Sequence, residues 1–178
     1  MPELAQLVLN SISRRDHLIM RRVHKWSAPK WFRLWMVCAT RGGDGWLWYV
    51  LGTFLLILGG VQGRIVVAES ALAAGLGIVA FLSLKRAANR RRPCALEPHC
   101  WSTLLPPDQF SFPSGHTITA FAVCTPLVAQ YPHAAPGILF CAVSIAVSRV
   151  ILGMHFLSDV VAGGIIGWML GLAVRQLF

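Results

Sequence analysis

The chain has 178 residues, the length of a single domain. Hydrophobic residues make up 56% of it and charged ones only 13%, with a mean hydropathy of +0.61, which excludes an ordinary water-soluble domain. The formal charge of +9 sits on residues that flank apolar runs without any recognition module, so nucleic acid is excluded and anionic membrane lipid is the expected partner.

The first segment reads as a helix lying on a surface. Leu4, Val8, Ile12, Ile19, Val23 and Trp26 recur near helical spacing, with Arg14, Arg15, Arg21, Arg22 and Lys25 on the polar side. Pro29 interrupts it, and Trp31, Leu34, Trp35 and Cys38 form a second stripe before a Gly42-Gly43 break. Basic, tryptophan-bearing helices of this kind settle at a headgroup boundary, although the same stripes would also suit packing against a helix bundle. No basic, apolar and small-residue regions follow one another at the start, so no cleavable signal peptide is expected.

Five apolar runs follow, near residues 46–61, 65–84, 117–130, 137–152 and 160–174. Several fall short of the about 20 residues that cross a bilayer core, so flanking residues such as His116 and Arg149 would extend the helices and sit at their ends. The expectation is an all-α, polytopic membrane bundle of about five transmembrane helices. It forms one domain over residues 1–178, with interfacial amphipathic helices over 1–41 and a transmembrane core over 42–178. Glu69, near the start of the second run, reads as an interfacial carboxylate rather than a functional intramembrane acid.

Three motifs lie between and beside these runs: Lys85-x6-Arg92-Pro93, Pro113-Ser114-Gly115-His116, and Ser148-Arg149-x5-His155-x3-Asp159. Lys85 and Arg92 are two helical turns apart and share a face if the second apolar helix continues past the membrane. Arg86, Arg90 and Arg91 around them read as a basic collar flanking the membrane. Gly115 stands where a helix begins, a position whose free N–H groups bind anions, and the Ser114 hydroxyl can donate to an oxygen there. His155 and Asp159 have the spacing of neighbours on one helical face, where the carboxylate would fix the imidazole tautomer and leave the other nitrogen to attack. Lys85, Arg92 and Arg149 are cations able to bind an anion such as phosphate, and the planar fork of Arg149 could clamp it.

With these motifs in this order, residues 40 to 175 resemble the membrane-bound type 2 phosphatidic acid phosphatases, which share a catalytic core with soluble bacterial acid phosphatases and vanadium haloperoxidases. The resemblance implies that His116 is the general acid and His155 the nucleophile that becomes phosphohistidine, with Asp159 orienting it. Lys85, Arg92, Ser114, Gly115 and Arg149 would hold the phosphate, without a metal or other cofactor. It implies an integral-membrane phosphatase in a bacterial inner membrane, acting on a lipid phosphate monoester or diphosphate. Phosphatidic acid, phosphatidylglycerophosphate, undecaprenyl diphosphate and phosphorylated lipid A are all substrates of related proteins. A lipid phosphotransferase is an alternative, as is a non-catalytic scaffold or transporter; a haloperoxidase fits a membrane-embedded site less well.

The membrane face is contested. Five spans put all lysines and arginines except Arg64 and Arg175 on the side of the motifs, which points to a cytoplasmic site, whereas many bacterial relatives have a periplasmic one. Cys38, Cys124 and Cys141 read as packing residues. Cys94 and Cys100 would be able to pair in an oxidising compartment, while Cys94, His99 and Cys100 are poorly spaced for a metal site.

Overall fold

A computed structural model describes residues 2–96 and 109–178. Among the described residues there are eight α-helices: α1 (Pro2–Lys25), α2 (Lys30–Arg41), α3 (Leu47–Leu58), α4 (Gly60–Ala88), α5 (Pro93–Leu96), α6 (Gly115–Gln130), α7 (Ala135–Ile151) and α8 (Leu157–Arg175). A π-helical segment, Gly42–Trp46, joins α2 to α3, and a 3-10 turn, Pro132–Ala134, leads into α7. The five expected apolar runs are α3, α4, α6, α7 and α8. Among the described residues, Gly60–Ala88, Pro132–Ile151 and Leu157–Arg175 are long and apolar enough to cross a membrane by length and composition. At 16 residues, α6 is about 24 Å long and shorter than a bilayer core.

Helix α6 is the hub of the bundle, against which α4, α7 and α8 pack. Ile118, Ala120, Ala122 and Cys124 are fully buried along it. The close approach of α8 comes from glycines four residues apart. A Cβ on Gly167 would lie 2.2 Å from the Ile118 carbonyl oxygen, and one on Gly171 2.5 Å from Thr125 Cβ. Small residues at this spacing let helix backbones meet inside a membrane, where apolar side chains gain little by leaving lipid. Gly167→Leu must therefore push α8 away from α6, and it is expected to lower the unfolding midpoint in detergent with a cost of about 1–3 kcal/mol or more. An unchanged midpoint would mean the helices tolerate a wider spacing.

The two N-terminal helices are amphipathic, and both dock on the core. Met20 of α1 packs with Ala146, Val150, Phe156 and Val160, while Met36 of α2 packs with Leu152 and Met154. Their outer sides expose Trp26, Trp31 and Leu34. Cys124 is buried as expected, but Cys38 is exposed, because α2 turns Met36 and Thr40 inward and Cys38 away. Glu69 is buried in the bundle, with Oε2 4.0 Å from Arg175 Nε near the end of α8.

Candidate active site

The three motifs meet at one end of the bundle, where α4 and α7 finish and α6 and α8 begin. A cavity of about 330 Å³ there is lined by Lys85, Arg92, Gly115, His116, Arg149 and His155, joined by Asp44.

Each motif reaches this cavity by a different local device. Lys85 lies in the last turn of α4, which stops at Asn89 in a left-handed conformation (φ 49°). The expected helical continuation to Arg92 therefore does not occur. After the turn, Arg90 and Arg91 pair with Phe110 and Ser111 across the chain, and Ser111 N–H donates to the Arg90 carbonyl at 2.7 Å. This brace carries Arg92 inward, where it is 2% exposed, and its Nη1 donates to the Met154 carbonyl at 2.9 Å. The α7–α8 turn is equally tight. Gly153 takes φ 67°, and the Met154 and His155 N–H groups both donate to the Arg149 carbonyl at 3.0 Å. That turn sets Arg149 and His155 on the same cavity although six residues separate them.

His155 is held in a defined tautomer. Its Nδ1 lies 2.6 Å from the Ser111 carbonyl oxygen, which can only accept, so Nδ1 carries the proton. Nε2 then presents a lone pair, 3.3 Å from Arg92 Nη1. Burial, and after it the charges of Arg149 and Arg92, push the ring's pKa well below 6.5, against the pull of the Ser111 hydrogen bond. The imidazole is therefore neutral at neutral pH, as an attacking nitrogen requires.

Asp159 lies near the ring without holding its hydrogen bond. Its Oδ2 is 3.9 Å from His155 Nδ1, and the ring hydrogen bond belongs to Ser111 instead. His155 precedes α8, so the two residues do not share a helical face. Asp159 is the third residue of that helix and accepts from the Phe156 N–H at 2.8 Å, the backward-reaching half of a capping box. Its other oxygen accepts from Arg90 Nη1 at 2.6 Å.

Ser114 is likewise displaced from its expected place. It is fully buried, its Oγ accepts from the Thr117 hydroxyl at 3.0 Å, and it is not among the residues lining the cavity. The α6 N-terminus reaches the cavity through Gly115.

Several contributors have no signature in the motifs. Arg90, expected in the basic collar, bonds Asp159, Ser158 and Asp16 and lies over the Phe156 ring at 4.2 Å. Asp16 also accepts from the Ser158 N–H at 3.1 Å, which ties α1 to the start of α8. Thr40 of α2 accepts from Arg149 Nη1, and Asp44 Oδ1 lies 2.7 Å from His116 Nε2. Asp16 and Asp44 are acids on otherwise basic or apolar stretches, the one sequence signal that would have marked them. Among the described residues, no three His, Cys, Asp or Glu side chains converge as a metal-ligating set. Cys94 forms no disulfide among the described residues, and its expected pairing with Cys100, like the grouping with His99, falls outside them.

Lipid A 1-phosphatases of Rhizobium etli and Rhizobium johnstonii are each 34% identical over 91 residues, 49% of this chain. The chain spans about two fifths of the length of these relatives, 39% and 37%. Among solved structures, Aquifex aeolicus LpxE superposes with a TM-score of 0.74 and 28% identity over 89% of this chain and 93% of that one. A transmembrane PAP2-type phosphatidylglycerolphosphate phosphatase from Bacillus subtilis has a TM-score of 0.73 over 94% and 86% of the two chains; at 24% identity this likeness is one of fold alone. The family model described as PAP2 superfamily matches residues 65–178, a stretch that contains all three motifs. The chain belongs to the PAP2 superfamily.

Proposed function

We propose that this protein is a lipid phosphatase of a bacterial inner membrane, hydrolysing a phosphate monoester or diphosphate through phosphohistidine at His155 Nε2. The observation that carries it is His155 on the cavity wall among Lys85, Arg92 and Arg149, with Nδ1 tied to a backbone carbonyl so that Nε2 is the nitrogen left to attack. Nε2 attacks phosphorus as the bond to the leaving oxygen breaks, and His116 protonates that oxygen. Water then attacks, the P–N bond breaks, and His116 takes the water's proton as inorganic phosphate forms. Lys85, Arg92, Arg149 and the N–H groups at Gly115 neutralise charge on the equatorial oxygens, which is where most of the rate acceleration in a phosphoryl-transfer site arises.

A second cavity supports a lipid as substrate. It occupies about 390 Å³ between α3, α4 and α6, is lined by Trp48, Gly52, Leu55, Ala74 and Val123, and shares Gly43, Asp44, Ile78 and Thr119 with the phosphate cavity. An acyl chain there would place its phosphate among the cations. The lipid A 1-phosphatase relatives favour a phosphorylated lipid A among the candidate substrates.

Purified protein in detergent with chelator should release inorganic phosphate equal to substrate consumed; a shortfall with a phosphorylated acceptor would identify a phosphotransferase. A Cβ at Gly52 meets nothing within 4 Å, so Gly52→Phe fills the groove without a clash. Excluding two or three methylenes should lower kcat/KM for long-chain lipid phosphates by about tenfold or more, leaving an aryl phosphate unaffected. Equal loss on both substrates would remove the groove from substrate binding. The site is proposed to face the periplasm. Gln109 is exposed beside it, and a cysteine introduced there should react with an impermeant reagent in intact cells. Protection until lysis would place it on the cytoplasmic face, where the charge asymmetry points.

A further inference from the structure

The π-helical segment between α2 and α3 does more than join them. Gly43 lets it lie directly on α7 and the start of α6: a Cβ there would stand 2.8 Å from Ile145 Cγ2 and 3.3 Å from His116 Cδ2. Gly45 turns the chain at φ 116°, a conformation that favours glycine. Between them Asp44 projects to His116, with Oδ1 2.7 Å from Nε2. Asp44 is also shared by the phosphate cavity and the apolar groove, so its carboxylate stands where a headgroup phosphate would join its lipid. That is the side of the phosphate from which the alkoxide leaves.

From this placement we infer that Asp44 is a positioning residue for His116, completing an Asp–His pair that none of the three motifs contains. A carboxylate cannot donate, so it takes the Nε2 proton and leaves Nδ1 as the nitrogen that exchanges a proton with the reacting oxygen. It also offsets the positive charge of a doubly protonated ring in a cavity otherwise faced by Lys85, Arg92 and Arg149. His116 gives its Nδ1 proton to the departing oxygen and regains one from the attacking water.

The inference rests on the phosphatase reading, and its test is arranged so that the two fail separately. Wild-type protein, Asp44→Ala, Asp44→Glu, His116→Ala and the double variant are assayed on an alkyl lipid phosphate monoester and on an activated aryl phosphate. No hydrolysis of either substrate by wild type would defeat the phosphatase reading itself. Given activity, Asp44→Ala should lower kcat on the alkyl substrate by about 10²-fold and on the aryl one by less than about tenfold, with KM little changed, because an activated leaving group needs little protonation. Asp44→Glu should recover part of that loss. In the His116→Ala background, Asp44→Ala should cost nothing further, since the group it serves is gone. Asp44 is half-exposed, so its replacement spares the core. Equal losses on both substrates, a change confined to KM, or a full additional loss in the double variant would overturn the assignment.

Discussion

His155→Ala should abolish turnover, with kcat falling by at least about 10⁴-fold on alkyl and aryl substrates alike, because no leaving group is good enough to replace the missing nucleophile. The variant should still fold. The backbone N–H of residue 155 continues to donate to the Arg149 carbonyl, and the α8 start is held independently by Asp159 and Arg90. What is lost is the ring between the Ser111 carbonyl and Arg92. Wild-type protein given radiolabelled substrate and quenched in alkaline detergent should retain base-stable, acid-labile phosphate, and His155→Ala should retain none. Substantial activity in the variant would move the nucleophile elsewhere. The depressed pKa adds a pH expectation. A group whose folded-state pKa lies below its unfolded value of about 6.5 costs stability as pH falls through that range, so acid should destabilise wild type more than His155→Ala.

Arg149→Lys should lower kcat by about 10²–10³-fold despite conserving charge. Arg149 is 4% exposed and anchored through Nη1 to Thr40, so the rest of its planar fork is aimed without side-chain freedom. A lysine would place one ammonium in that space and could either bond Thr40 or reach a phosphate oxygen. Thr40→Val tests the anchor: it should reduce kcat in the same direction by a smaller factor, with the bundle intact by circular dichroism. An Arg149→Lys variant of near-normal activity would mean the fork is not used on the phosphate.

Composition and motif spacing were enough to establish the helical class, the membrane setting and the identity of the cavity's cations and histidines. In a chain only 13% charged, each buried ionic group is costly, so Lys85, Arg92, Arg149 and His155 stand out against their apolar neighbours. Amphipathic spacing likewise located α1 and α2. Spacing misled where it assumed that a helix continues: α4 ends at Asn89, so Arg92 arrives by a turn, and α8 begins after His155, so Asp159 caps the helix instead of holding the ring. The ring's true partner emerged from the folded chain, because the Ser111 acceptor is a backbone carbonyl that every residue type possesses. Folding also brought Asp44 to His116, Asp16 to Arg90 and Thr40 to Arg149. Those pairs are 72, 74 and 109 residues apart, and their contacts exist because small residues on α8 and in the π-helical segment let helix backbones approach closely around α6. A residue's chemistry is local and can be read along a chain, whereas which carboxylate or carbonyl meets it depends on how the helices pack.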